Sequence, residues 1–203
     1  MLTLTTGLFA LGVVLAGGQL LGYVASLLGW SAYWPLGTQD RWYYLHWGVS
    51  VGANLCLAAV ALLDWNALGA PQPLTLAVGA VVFVPSYVAG IVAGSDLGQE
   101  ETMGLTGDLR TDGWYRYSRN PQYVCYSVAS VGVVVLAASP LATVLALLHL
   151  AWWLLMPFAE EPWLRDQYGT EYDRYCDRVP RFVGWRTARA LVGASEAETG
   201  TGV

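Results

Sequence analysis

The chain has 203 residues, 55% hydrophobic and 12% charged, whereas an ordinary soluble domain carries about 25% charged residues; with a mean hydropathy of +0.43 this points away from a soluble protein and toward lipid as solvent. A net charge of −5 leaves no broad basic face to release counterions, which disfavours a nucleic-acid binder, and without a G-x-G-x-x-G between a strand and a helix a soluble dinucleotide-binding sheet is disfavoured as well. All 10 basic residues are Arg, against 15 acids, a balance resembling the acidic, Lys-poor proteins of salt-loving microbes, so the expected location is a prokaryotic cell membrane.

A hydrocarbon core about 30 Å thick requires around 20 apolar residues per helix. In chain order the qualifying stretches are 8–28, 43–63, 74–94, 121–138 and 141–158, which predicts an all-α polytopic membrane protein with five transmembrane helices. The last two stretches are separated only by Ser139 and Pro140, a capping residue and a first-turn proline, so they form a tight hairpin. The first has no basic residue before it and is too long for a signal-peptide core, so it is expected to stay in place.

Arginines fix the orientation, because short cytoplasmic loops retain them. Arg41 falls between the first two helices, Arg110, Arg116 and Arg119 between the third and fourth, and the remaining six after the fifth. The N-terminus, the 64–73 loop and the Ser139-Pro140 turn hold none. The N-terminus is therefore expected outside and the C-terminus in the cytoplasm.

Each of the first three helices carries a G-x-x-x-G, at Gly18 and Gly22, Gly48 and Gly52, and Gly90 and Gly94; these spacings serve close helix packing in lipid, within one chain or between two. Oligomeric state is therefore left open. Pro85 interrupts the third helix, where it is expected to introduce a kink. His46 is expected at the membrane interface among Trp42, Tyr43, Tyr44 and Trp47. His149 lies mid-span, with Asn54 as its expected polar neighbour, and two histidines without carboxylates nearby do not make a metal site. The cysteines Cys56, Cys125 and Cys176 lack C-x-x-C spacing and read as packing residues.

Three units follow: membrane helices over 1–94, a core over 95–192, and a disordered tail over 193–203 that is too poor in apolar residues to pack. Residues 95–120 are polar and long enough to fold over a site. Beyond Pro162, Leu164, Tyr168, Tyr172 and Tyr175 recur at helical spacing among charged residues, the pattern of a cytoplasmic amphipathic helix that Gly169 breaks in two. The hairpin returns the chain to the depth at which it started, so Arg119, Asn120, Pro121 and Tyr123 should neighbour Glu160 and Glu161. Asn120 with Pro121 reads as a helix cap whose free N–H groups favour an anion. Paired glutamates at a helix exit read equally well as a solvated collar.

Four separated motifs occur in order: G-W-Y-R-Y-S-R-N-P-Q-Y at 113–123, E-E-P-W-L at 160–164, Y-G-T-E-Y at 168–172, and Y-C-D-R-V-P-R-F at 175–182. With the hairpin between the first two, this stretch resembles the isoprenylcysteine carboxyl methyltransferases and their phospholipid methyltransferase relatives. The resemblance implies an integral membrane enzyme that binds S-adenosylmethionine at the cytoplasmic side and methylates a membrane lipid or prenylated small molecule. The family's Arg-His-Pro-x-Tyr falls on Arg119, Asn120, Pro121 and Tyr123, its Gly-x-Tyr on Gly113 and Tyr115, its preceding backbone segment on 107–110, and its acidic cofactor contact on Glu160. Leu109, Tyr115, Asn120, Pro121, Tyr123 and Glu160 are thus the implied cofactor-binding residues. Arg119, Glu160 and Glu161 are the implied catalytic ones: Glu160 for the cation of the cofactor, Arg119 for a carboxylate or loop closure, and Glu161 for the proton or cation of an amine acceptor.

The sequence departs from the family at three places. Asn120 replaces the motif histidine and removes a group that titrates near neutrality. Cys125 stands where a small residue is usual. Met156 occupies the position of the arginine that recognises a prenylcysteine carboxylate. A prenylated thiol acid, a phospholipid amine and an isoprenoid quinone stay open as acceptors. Sterol-reductase-type NADPH enzymes share the Arg-His-Pro-x-Tyr and a Tyr-Cys-x-x-Val-Pro ending, and a non-catalytic membrane module is the third alternative; the Glu160-Glu161 pair favours the methyltransferase.

Overall fold

The computed structural model describes residues 2–185 and residue 187; the expected tail and the last residues of the expected core lie outside them. Among the described residues the protein is all-α, with one isolated bridge between Gly37 and Leu105. The helices are α1 (Leu2–Leu27), α2 (Arg41–Leu63), α3 (Gln72–Leu97), the single turn α4 (Gln99–Thr102), α5 (Pro121–Ala137), α6 (Pro140–Tyr168) and α7 (Thr170–Arg178), with a 3-10 turn at Gly113–Arg116. α1, α2, α3 and α6 are long and apolar enough to cross a bilayer. Apolar side chains such as Leu21, Leu62 and Val81 are each 72% exposed on them, a pattern that only a lipid solvent makes favourable. The protein is an integral membrane protein. α5 has 17 residues, about 25 Å of helix at the usual rise.

α6 differs from expectation. The fifth stretch does not end near 158 with a separate interfacial helix after it; one helix of 29 residues continues through Pro157 and Pro162 to Tyr168. Neither proline ends it, because neighbouring turns and helices can satisfy the backbone groups a proline frees. The break comes at Gly169, whose φ of +54° suits a residue without a side chain. Beyond it, α7 buries Tyr172 and Tyr175 and exposes its charges, as the amphipathic pattern requires.

Small residues set the packing. A Cβ on Gly79 would lie 2.5 Å from the Leu136 backbone, and one on Gly132 would lie 2.7 Å from that of Phe83, so α3 and α5 approach with backbones nearly touching. Of the G-x-x-x-G pairs, Gly90 and Gly94 meet Tyr126 and Gln122 of α5. Gly22 faces Tyr33 and Gly52 faces Leu15, whereas Gly18 and Gly48 meet nothing within 4 Å. Trp152 of α6 donates to the Ala16 carbonyl of α1 at 2.9 Å. The α5–α6 turn is capped as its sequence predicts: Ser139 Oγ accepts from Ala142 N–H at 3.0 Å and donates to Asp64 at 2.5 Å.

Two polar residues sit differently from expectation. His46 is buried, 3% exposed, with its ring among Tyr23, Tyr33, Trp34 and Trp47 and not among Trp42, Tyr43 and Tyr44. Asn54 does not partner His149; its amide donates to the Ser50 carbonyl of its own helix at 2.8 Å, and His149 bonds the Leu145 carbonyl at 2.8 Å.

Candidate active site

The start of α5 is tied to the segment after α7. Arg119 N–H donates to the Pro180 carbonyl at 2.9 Å, and Asn120 Nδ2 donates to the Arg181 carbonyl at 2.9 Å. Asn120 occupies the cap position, with Pro121 at the first helical position, but its side chain does not cap the helix. The amide bonds the Arg181 carbonyl instead, a non-local partner that local spacing cannot reveal.

One turn into α5, Tyr123 points toward the exit of α6. Its hydroxyl donates to Glu160 Oε1 at 2.5 Å, and Trp34 Nε1, from the α1–α2 connection, donates to the same oxygen at 2.6 Å. Both donors are neutral, so they orient the carboxyl group without supplying a counter-ion. Both bonds fall on Oε1, and among the described residues Oε2 receives none.

Glu161, the next residue, turns about 100° around the helix into a different setting. It is 4% exposed. Arg181 grips it with Nε at 2.6 Å and Nη2 at 2.8 Å, Arg119 approaches to 3.0 Å, and Arg165 stands 3.7 Å away. The hydrogen bond to Glu161 raises the Arg181 pKa, so that guanidinium keeps its charge. Arg119 also donates to Tyr172 and Cys176 through Nη1, while its buried Nε has no partner.

Glu160 opens onto a cleft lined by Leu109, Tyr115, Arg119, Asn120 and Tyr123, with Glu101, Asp108, Arg110, Trp163, Leu164, Tyr168, Tyr172 and Tyr175 among the other walls. The 95–120 connection folds against it as expected. Tyr168 donates to the Gly107 carbonyl at 2.8 Å, and Tyr175 to the Tyr115 carbonyl at 2.7 Å. Burial pushes the hydroxyl pKa values of Tyr115, Tyr172 and Tyr175 upward, so all three remain protonated donors at neutral pH.

Six of the eight residues singled out from the sequence therefore meet at one cleft. Pro121 and Glu161 are not among its lining residues; Pro121 starts the helix and Glu161 anchors the arginines behind it. Sequence reading missed Trp34, which sits 126 positions before its partner in no recognisable motif. It assigned no role to Arg181, although the V-P-R-F ending that contains it had been singled out.

No curated protein and no solved structure matches the chain. The phospholipid methyltransferase family model matches residues 74–171, just under half of the chain, a stretch that holds α3, the cleft loop, the hairpin and both glutamates. The motifs converge on one cleft inside that match, so this part of the chain is similar to the phospholipid methyltransferase family of membrane methyltransferases.

Proposed function

We propose that the protein moves a methyl group from S-adenosylmethionine to a lipid-borne acceptor at the cleft beside Glu160. The observation that carries this reading is Glu160 itself: a carboxyl oxygen held by two neutral donors and no cation at the wall of a cleft rich in aromatic and apolar surface. The residues present fit the cofactor. A carboxylate without a cationic partner suits a sulfonium or ammonium group, the unpartnered Nε of Arg119 suits a carboxylate, and Leu109, Tyr115 and Leu164 offer surface to an adenine ring. When bound, S-adenosylmethionine supplies a methyl group on a positively charged sulfur, open to in-line displacement. The chain's part is then to hold the acceptor about 3–3.5 Å from that methyl and to exclude water. Glu160 holds the cation, and Tyr123 and Asn120 border the remainder of the ligand. Arg119 closes the loop through Glu161 or meets a carboxylate through its free Nε.

The acceptor class follows from the same electrostatics. Glu101, Asp108 and Glu160 line the cleft against Arg110 and Arg119; Arg119 is paired with Glu161, and Arg110 stands 4.0 Å from Asp112. An amine headgroup is favoured over a carboxylate, in keeping with Met156 in place of an arginine. The reading includes five spans, with α5 crossing as the partner of α6 in a hairpin that brings its start beside Glu160. It places the cleft, and with it the three arginine-bearing segments, on the cytoplasmic face.

The test is titration of the protein in lipid nanodiscs with S-adenosylmethionine, S-adenosylhomocysteine and NADPH, followed by incubation with methyl-labelled cofactor and a lipid extract. Binding of the first two at micromolar concentration and label in an amine lipid are expected. Binding of NADPH alone overturns the proposal in favour of a reductase.

A further inference from the structure

Trp34 lies outside the family match, in the connection between the first two helices, yet its one polar side-chain atom reaches a residue of the cleft wall: Nε1 donates to Glu160 Oε1 at 2.6 Å. The indole is 2% exposed and held on all sides. His46 stacks on it at 4.8 Å between centroids and 19° between planes, and Tyr23 and Trp47 meet it edge-on. Across from it, Gly104 has a φ of +75°, and a Cβ there would collide with the Trp34 ring; the close approach and the positive φ both require glycine. The backbone is pinned too, because Ser26 Oγ accepts from the N–H groups of Tyr33 and Trp34 at 2.9 Å each. Gly37 N–H further joins this connection to the Gly104 carbonyl at 2.8 Å.

A ring confined in this way presents its N–H in one direction. Tyr123 converges on the same oxygen, so two donors from two different elements fix the torsions of one carboxylate. A guanidinium in either place would hold Glu160 as firmly but would neutralise it, as the neighbouring Glu161 illustrates. Indole and phenol hold it and leave it without a counter-ion.

We propose that Trp34 is a positioning residue of the active site, fixing Glu160 through Oε1 so that Oε2 is presented to a cationic ligand in the cleft. The α1–α2 connection is then part of the catalytic unit and not only of the membrane anchor. This inference rests on the methyltransferase reading.

The experiment is a double-mutant cycle of Trp34→Phe and Glu160→Gln in nanodiscs, read by S-adenosylmethionine affinity and by the kcat and KM of methyl transfer. Trp34→Phe should weaken binding about ten-fold, the scale of a hydrogen bond to a charged group, and should cost clearly less once Glu160 is Gln, where no carboxylate is left to present to the cation. Equal losses in both backgrounds would mean that Trp34 acts through packing alone, and the inference is overturned. No binding by the unaltered protein would bring down the methyltransferase reading and the inference with it, an outcome distinct from the previous one. If Trp34→Phe does not fold, the indole N–H spectrum of 15N-labelled protein decides. One strongly downfield resonance should move upfield in Glu160→Gln, and an unchanged spectrum overturns the inference.

Discussion

Glu160 and Glu161 are the same side chain at consecutive positions of one helix, and they end in opposite settings. Glu160 receives an indole N–H and a phenol O–H and faces the cleft. Glu161 is surrounded by the guanidiniums of Arg119, Arg165 and Arg181. The first has no cationic partner among the described residues, and the second uses its charge to tie the start of α5, the end of α6 and the segment after α7 into one body. What separates them is the angle between successive residues on a helix, not their chemistry. A pair of adjacent acids can therefore divide into a ligand-facing member and a structural member, and substitution should separate the two.

The largest effect is expected from Glu161→Ala. Removing a buried carboxylate leaves guanidiniums facing each other without a counter-charge, at a cost of about 3 kcal/mol, the lower end of the range for a broken buried pair. Thermal unfolding in nanodiscs should show the loss, with cofactor binding failing only because less protein is folded. A variant as stable as the parent but unable to bind would reverse the assignment and make Glu161 the ligand-facing residue.

Glu160→Gln should do the opposite. The amide keeps the shape and can still accept from Trp34 and Tyr123, so the unfolding temperature should move little. Affinity for S-adenosylmethionine should fall by one to two orders of magnitude, the scale of a hydrogen-bonded charge. If Glu160 faces the sulfonium, affinity for S-adenosylhomocysteine, whose sulfur is neutral, should fall less. Equal losses for both compounds would put the ammonium group there instead. Tyr123→Phe removes one of the two donors and should cost a few-fold in affinity, corresponding to about 1 kcal/mol.

The contrast between the two glutamates was only half legible in the sequence. The hairpin, the capping by Ser139 and the adjacency of the Asn120 and Glu160 ends follow from apolar run lengths and from one Ser-Pro pair, since local chemistry fixes them. The amphipathic α7 follows from its tyrosine spacing. The resemblance put the cofactor contact on Glu160, but spacing alone did not show which glutamate faces the cleft, because that depends on the rotation of α6 against α5. Trp34 and Arg181 were invisible as partners for a related reason: the first reaches Glu160 across 126 positions and the second reaches Glu161 across 20, with no local pattern to mark either. The burial of His46 was not legible either, because an aromatic cluster near a helix end looks the same in sequence until the α1–α2 connection folds Trp34 over it.

The smallest expected effect sharpens the account of Glu161. Arg165 stands 3.7 Å from it with a side chain 46% exposed, whereas Arg119 stands 3.0 Å away at 9% and Arg181 2.6 Å away at 32%. Distance and solvent both weaken the first interaction, and a half-exposed ion pair contributes about 0–1 kcal/mol. Arg165 also shares its charge with Asp173 at 3.4 Å. Arg165→Ala should therefore change the unfolding temperature by no more than a small fraction of the Glu161→Ala effect, and raising the salt concentration should shrink the difference further. Arg119→Ala should be far more costly, since it removes a nearly buried cation from a carboxylate that has turned away from solvent. If Arg165→Ala destabilised the protein as much as Arg119→Ala, the cluster would be a single coupled network, and the tie between α5 and α6 would depend on all three cations together.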